Sequence, residues 1–202
     1  MNFSANKNIE SLNNPEYKFL VSLKKNRNRK SSNKSISEGF RECYKLLDSN
    51  YEIDTLYFCS DLFIGENNKD LLDECEQENI RIVKVSEKVF KAMSYRDRPD
   101  GFIAVFNTRD LSLPDKINGP ILIPDQIEKP GNLGTMIRTA KSFGINNIFL
   151  SDEITDIFNP NVIRASVGHV FNMNIWSSSN NKIRDFLNSN NYQILLLDPE
   201  GE

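Results

Sequence analysis

Cysteine, histidine and glycine are all scarce in this chain. Three cysteines, Cys43, Cys59 and Cys75, stand far apart among 202 residues. No pair has the close spacing of a zinc or redox motif, and an odd number does not build a disulfide framework. A reducing compartment is therefore expected, and the cytoplasm is the natural one. His169 is the single histidine. A lone histidine with no visible partner is more often structural than catalytic, and no metal site is expected. Long apolar runs are missing too, so no membrane span is expected. The residues after Met1 are polar and form no secretory signal. A strong excess of charge is also absent. The net charge of -3 gives no whole-chain signal for nucleic acid.

The distribution of charge says more than its sum. Ten Lys/Arg and only four acids lie between Lys7 and Lys45, centred on "KKNRNRK". Such a run is commonly a solvated, poorly ordered segment. It also suits phosphate contact, through Lys24, Lys25, Arg27 and Arg29. Residues 1–35 are accordingly expected to form a basic flexible arm, with a short helix around Phe19, Leu20 and Leu23.

Beyond it the apolar pattern becomes regular. Ser37 can cap a helix that buries Phe40, Cys43, Tyr44 and Leu47. Ile53–Cys59, Ile80–Val85 and Gly101–Phe106 read as strands, alternating with helices in the rhythm of βαβ crossovers. This places a small α/β domain at 36–107. Residues 108–118 read as a linker. A second α/β alternation begins at 119. It has short strands at "PILIP", "NNIFLSD", "FNMNIW" and "YQILLLD", and Asn159-Pro160 opens one of its helices.

Three stretches carry candidate chemistry. In "PDQIEKPGNLGTMIRTAKSFG" a strand end should meet a tight Gly-containing loop. A helix follows, with Met136, Ile137, Ala140 and Phe143 inward and Gly144 as its C-terminal cap. Gly131 and Gly134 would let a ligand approach the backbone, and the helix N-terminus would favour an anion. Asn132 adds a donor and an acceptor. Arg138, expected four residues into the helix, could clamp a phosphate or hold a hydroxyl that must lose its proton. Spacing alone fits an ordinary βα turn with a surface arginine equally well. The stretch is neither a P-loop nor a dinucleotide fingerprint. In "NPNVIRASVGHVF", Arg164 and Ser166 sit on a short helix that could be merely capped. In "SISEGFRECYKLL", Glu38 and Arg41 open a helix, where an acid is explained by the helix dipole.

Taken together these stretches resemble the SpoU (TrmH-like) branch of the SPOUT RNA methyltransferases. "ISEGFREC" and "MSYRDRPDGFIAVF" resemble the opening and close of that family's small substrate-binding domain. "LIPDQIEKPGNLGTMIRTAKSFGINNIFLSD" and "FNPNVIRASVGHVFNMNI" resemble two successive segments of its catalytic domain. The resemblance implies a small α/β RNA-binding domain followed by a parallel-sheet, knotted SPOUT domain. It implies methyl transfer from S-adenosylmethionine to a ribose 2′-hydroxyl of ribosomal or transfer RNA, by a homodimer. Arg138 would activate or stabilise the attacking oxygen, and Asn132 would place the RNA backbone. Lys24, Lys25, Arg27, Arg29, Glu38, Arg41, Arg164 and Ser166 would contact RNA. Gly131 and Gly134 would be the only cofactor-side residues present. The family has two further motifs, a Gly-x-Glu loop and an Ile-Pro turn before a Ser-Leu-Asn helix. The sequence reaches Glu202 before either, so the domain at 119–202 is expected to be partial and its cofactor pocket incomplete. The competing class is a non-catalytic RNA-binding protein. A nucleotide-binding α/β protein rests on the glycines alone.

Overall fold

The computed structural model describes residues 7–66 and 68–197. Its first unit is a five-stranded sheet. In chain order it contains β1 (Lys7–Ile9), α1 (Pro15–Ser22), α2 (Asn26–Ser32), β2 (Lys34–Glu38) and α3 (Phe40–Leu47). Then come β3 (Ile53–Phe58), α4 (Asn68–Gln77), β4 (Arg81–Val85), α5 (Glu87–Met93) and β5 (Phe102–Asn107). The strands lie in the order β1-β4-β3-β5-β2. β1, β4 and β3 run parallel, and β5 runs antiparallel to both β3 and β2.

Residues 7–35 are not a flexible arm. β1 adds an edge to β4, and Ile9, Leu20 and Leu23 are buried. Three apolar anchors and one strand pairing are what a terminal segment needs to be tied down. Asn14 caps α1, its Oδ1 accepting from the Glu16 N–H at 2.8 Å, and Pro15 takes the first helical position. Residues 1–6 lie outside the described residues. Ser37 does not cap a helix either. It lies buried within β2, and Gly39 (φ +110°) turns the chain into α3. Only Gly tolerates that angle easily. α3 buries Glu42, Cys43 and Leu46, while Tyr44 faces solvent.

The second unit is a three-stranded parallel sheet in the order β6-β7-β8. It contains β6 (Ile121–Leu122), α6 (Pro130–Ser142), β7 (Asn147–Ser151), α7 (Pro160–Ala165), a 3₁₀ turn (His169–Asn172), β8 (Asn174–Ser178) and α8 (Asn180–Ser189). β7 is buried on both faces, which is why its sequence reads as an almost unbroken apolar run. Ile148 and Leu150 join one core cluster, and Phe149 packs on the other face against Ile183 and Leu187. Its ring meets Trp176 and Phe186 edge-on at 5.5 and 5.0 Å. The expected strand "YQILLLD" does not form within its described part. Residues 192–197 carry no strand pairing, and Ile194, Leu195, Leu196 and Leu197 stand well exposed.

The two units share one core. Tyr51 and Phe106 of the first meet Phe158 and Phe171 of the second in edge-to-face contacts. Ser35 Oγ donates to the Phe158 carbonyl at 2.6 Å. Residues 108–118 adopt neither helix nor strand, yet they are strapped down. Ser177 N–H donates to the Leu111 carbonyl at 2.7 Å. Arg109 donates to the Met173 carbonyl at 3.0 Å and lies 4.7 Å above the Tyr51 ring.

Candidate functional site

Helix α6 begins earlier than its sequence suggests. Lys129 is the N-cap and Pro130 the first helical residue, so Gly131 and Asn132 lie in the first turn. No Gly loop precedes the helix. Gly131 is open, and a Cβ there would meet nothing within 4 Å. Gly134 is different. A Cβ there would come within 2.5 Å of the Ala165 Cβ and 2.8 Å of both Ser166 N and Val162 O. Gly134 lets α6 press closely against α7. Met136 and Phe143 turn outward rather than inward, leaving Leu133, Gly134, Ile137 and Ala140 as the buried face. Gly144 takes φ +73° just past the helix, as a C-terminal glycine should.

Arg138 is the ninth residue of α6, not the fourth. It is exposed, and its guanidinium has no hydrogen-bond partner or ion pair among the described residues. Asn132, also exposed, lies six positions earlier. At 3.6 residues per turn that is about 120° around the axis and about 9 Å along it. The two side chains therefore do not converge on one point. They could touch neighbouring parts of an extended ligand.

The other expected RNA contacts divide sharply. Lys25, Arg27, Arg41 and Arg164 are exposed and available. Lys24 is half-buried: it donates to the Ser94 carbonyl at 2.8 Å, and its Nζ lies 4.9 Å above the Tyr95 ring. Burial lowers its pKa, and Glu38 only partly offsets this. Arg29 is 3% exposed. Its Nε and Nη2 donate to Asp156 Oδ2 at 2.8 and 2.7 Å, and Nη1 donates to the Leu23 and Lys24 carbonyls. It staples α2 to the second unit and has no free face for RNA. Glu38 is neither a helix acid nor a surface residue. It lies buried at the end of β2 and accepts from the backbone of Tyr95 and Arg96 and from the Ser94 hydroxyl. Ser166 is fully buried and donates to the Ile163 carbonyl at 2.9 Å. These three are framework, because each spends its polar atoms on buried backbone or on a buried partner.

Sequence reasoning missed a cluster where the units meet. Gly168 (φ +74°) lets α3 approach closely, since a Cβ there would lie 3.1 Å from Glu42 Cα and 3.2 Å from Lys45 Cβ. Lys45 Nζ then sits 2.8 Å from His169 Nε2 and 3.2 Å from Nδ1. Burial, then Lys45, Lys141 and Arg138, push the His169 imidazole below its ordinary pKa of 6.5. Lys45 is lowered by burial and by Lys141, against a raising effect of Glu42. Only the isolation of the single histidine next to a glycine hinted at this. The contact joins residues 124 positions apart.

No group of three or more His, Cys, Asp or Glu among the described residues could hold a metal ion. No helix among them is long and apolar enough to cross a membrane. The cavity between Leu133, Leu150, Ser151 and Thr155 has a volume of about 10 Å³, room for one water. A larger one, about 340 Å³, lies in the first unit, lined by Tyr44, Asp48, Glu74 and Glu78. A nucleoside-sized cofactor needs several hundred Å³ of largely apolar pocket.

A mixed-sheet unit joined through a shared core to a parallel-sheet unit, with an unpaired arginine on the helix after the first strand of the latter, defines a class of α/β protein. Comparison with known proteins identifies it. Residues 14–104 match the MRM3-like substrate binding domain, and residues 119–202 match the SpoU rRNA Methylase family. The chain belongs to the SpoU methylase family. It is 28% identical over 167 residues to the 23S rRNA (guanosine(2553)-2′-O)-methyltransferase RlmP of Bacillus subtilis, covering 83% of this chain and 63% of that protein. It is 30% identical over 171 residues to the mitochondrial rRNA methyltransferase 3 of Xenopus laevis, covering 80% and 39%. It therefore spans less than two thirds of either curated relative. Among solved structures, the AdoMet-bound rRNA methyltransferase from Sinorhizobium meliloti superposes with a TM-score of 0.78 at 25% identity, covering 90% of this chain and 68% of that one.

Proposed function

We propose that this chain takes part in methylation of a ribose 2′-hydroxyl in ribosomal or transfer RNA, with S-adenosylmethionine as the methyl donor. The observation that carries this reading is Arg138: an exposed, unpaired guanidinium on α6, inside the segment that matches the SpoU methylases. A 2′-hydroxyl is a poor nucleophile. A guanidinium within reach would favour loss of its proton and stabilise the oxygen as charge develops there. Asn132, one face further round the helix, would hold the adjoining backbone. Lys25, Arg27, Arg41 and Arg164 supply sequence-independent contacts to phosphate. The first unit would hold the RNA.

S-adenosylmethionine would supply the methyl group when bound, and the residues named here would act on the RNA side of the reaction. A homodimer belongs to the same reading, and the outward apolar pair Met136 and Phe143 on α6 gives it a face to use. Three buried, unpaired cysteines suit a reducing, cytoplasmic setting.

The test is transfer of labelled methyl from S-adenosylmethionine to ribosomal RNA, mapped by the alkali resistance of 2′-O-methylated linkages. Wild type should label one class of site, and Arg138→Ala should lower the rate about 10²-fold or more. Tight RNA binding by wild type without any label would overturn the catalytic reading. It would support the second one, a non-catalytic RNA-binding protein, which the exposed Lys25, Arg27 and Arg41 of the first unit also suit.

A further inference from the structure

The seam between the two units carries an unneutralised set of cations on three elements. On α3, Arg41 and Lys45 lie one turn apart on the same face. On α6, Arg138 and Lys141 are likewise neighbours. The turn that begins at His169 packs against both helices and against α7, which brings the exposed Arg164. The carboxylate that acts on Lys45 is Glu42 on α3. That carboxylate is buried and already paired with Arg96 at 2.8 Å. Lys141 donates only to neutral oxygens, Asn146 Oδ1 at 2.9 Å and the Asn172 carbonyl at 3.2 Å. Lys45 Nζ is held against the His169 ring at 2.8 Å. In this contact a neutral imidazole can accept from an ammonium, with its tautomer setting which nitrogen does so. The contact costs Coulomb energy as soon as the ring is protonated.

We infer that this seam, formed by Lys45, Lys141 and His169 beside Arg138, is a phosphodiester site that seats the RNA backbone next to the ribose presented to Arg138. This deepens the proposed function and rests on it. Three cations around a titratable imidazole form an anion site. A docked phosphate would relieve the mutual repulsion of Lys45 and Lys141 and make the protonated ring favourable. RNA binding should therefore take up a proton at His169. The free ring titrates below 6.5 and the bound ring higher, so affinity rises as pH falls through the interval between the two values.

Because His169 is the single histidine, its ring Cε1–H resonance is unambiguous in NMR. The titration is run on the whole chain, free and with a labelled oligouridylate, alongside fluorescence anisotropy across a salt series. The inference expects the imidazole pKa to rise on binding. It expects Lys45→Gln to flatten the log-affinity against log-salt slope by about 0.7, the value for one single-strand phosphate contact. Lys45→Arg should restore the slope, and His169→Gln should abolish the pH dependence. Thermal unfolding of each variant checks the fold, and His169→Gln serves alone if Lys45→Gln fails to fold. Oligouridylate binding that leaves the His169 resonance unmoved, or leaves the salt slope of Lys45→Gln at the wild-type value, overturns the inference while RNA binding stands. Inorganic phosphate shifting the resonance, with RNA affinity unchanged in both variants, makes the seam a free-anion site and also overturns it. Absence of any RNA binding by wild type removes the broader RNA reading along with it.

Discussion

Arg29 was read as one of four phosphate contacts in the basic run, and its burial turns it into a stability prediction. Arg29→Met removes two donations to Asp156, at 2.8 and 2.7 Å, and two to the Leu23 and Lys24 carbonyls. The Asp156 side chain is 10% exposed, so its charge would be left nearly dry. Breaking one half of such a buried pair costs about 3–5 kcal/mol. Asp156 keeps one compensation, since Oδ1 still accepts from the Phe158 N–H at 2.9 Å. The lower end, about 3 kcal/mol, is therefore expected. For a chain of this size that is a fall in Tm of about 6–12 °C. Thermal unfolding followed by circular dichroism measures it. Asp156→Asn keeps the oxygen that Phe158 needs and removes the charge, so the double variant should recover much of the loss. The reasoning is refuted if Arg29→Met unfolds within about 0.5 kcal/mol of wild type, or if the two single losses simply add within that margin. RNA binding gives an independent check. Arg29→Met should leave the salt slope unchanged, whereas Lys25→Gln and Arg27→Gln should each make it shallower.

Two further predictions concern residues whose roles the structure defines. Gly134→Ala should destabilise although alanine is the better helix former. Overpacking against α7 backbone costs about 3 kcal/mol and helix propensity returns about 1, for a Tm about 4–8 °C lower by calorimetry. Glu16 is held at a pKa of about 2 rather than 4.5, chiefly by its hydrogen bonds to Arg81 and then by Lys7, with burial opposing. Its folded pKa is depressed, so its contribution is complete above 4.5 and fades as pH falls towards 2. Acid titration of stability should show Glu16→Gln weaker than wild type near neutrality, with the gap closing over that interval.

The α/β alternation was legible because β3, β4, β5 and β7 announce themselves by apolar runs of strand length. Local chemistry was legible as well: the Asn159 cap and the Gly144 terminus are one-residue signals that depend on nothing distant. What escaped the sequence was set by contacts across the chain. β2 reads like a helix start because Ser37 and Glu38 have capping chemistry, yet pairing with β5 overrides it. Charge could not distinguish Arg29 from Arg27. The difference is Asp156, 127 positions away. The Gly131–Gly134 pair suggested a loop because both glycines were read as conformational. Gly134 is in fact steric, and only the packing of α7 reveals it. Arg138 and Asn132 were read as lying together near one helix start, whereas the helix begins earlier and sets them six residues apart, with Arg138 in its ninth position.

The exposed run Ile194–Leu197 has a practical consequence at the bench. It places four large aliphatic side chains in water next to a small sheet whose outer strands β6 and β8 are unpaired on one side among the described residues. Sticky chain and open ladder together are a recipe for strand exchange between molecules. Concentrated solutions should become turbid at modest salt, and cooling should slow this by weakening apolar association. A particle of doubled mass in sizing experiments could arise from that edge alone. Aspartate at Leu195 and Leu196 would disperse such particles without touching α6, and would leave a pairing through Met136 and Phe143 intact.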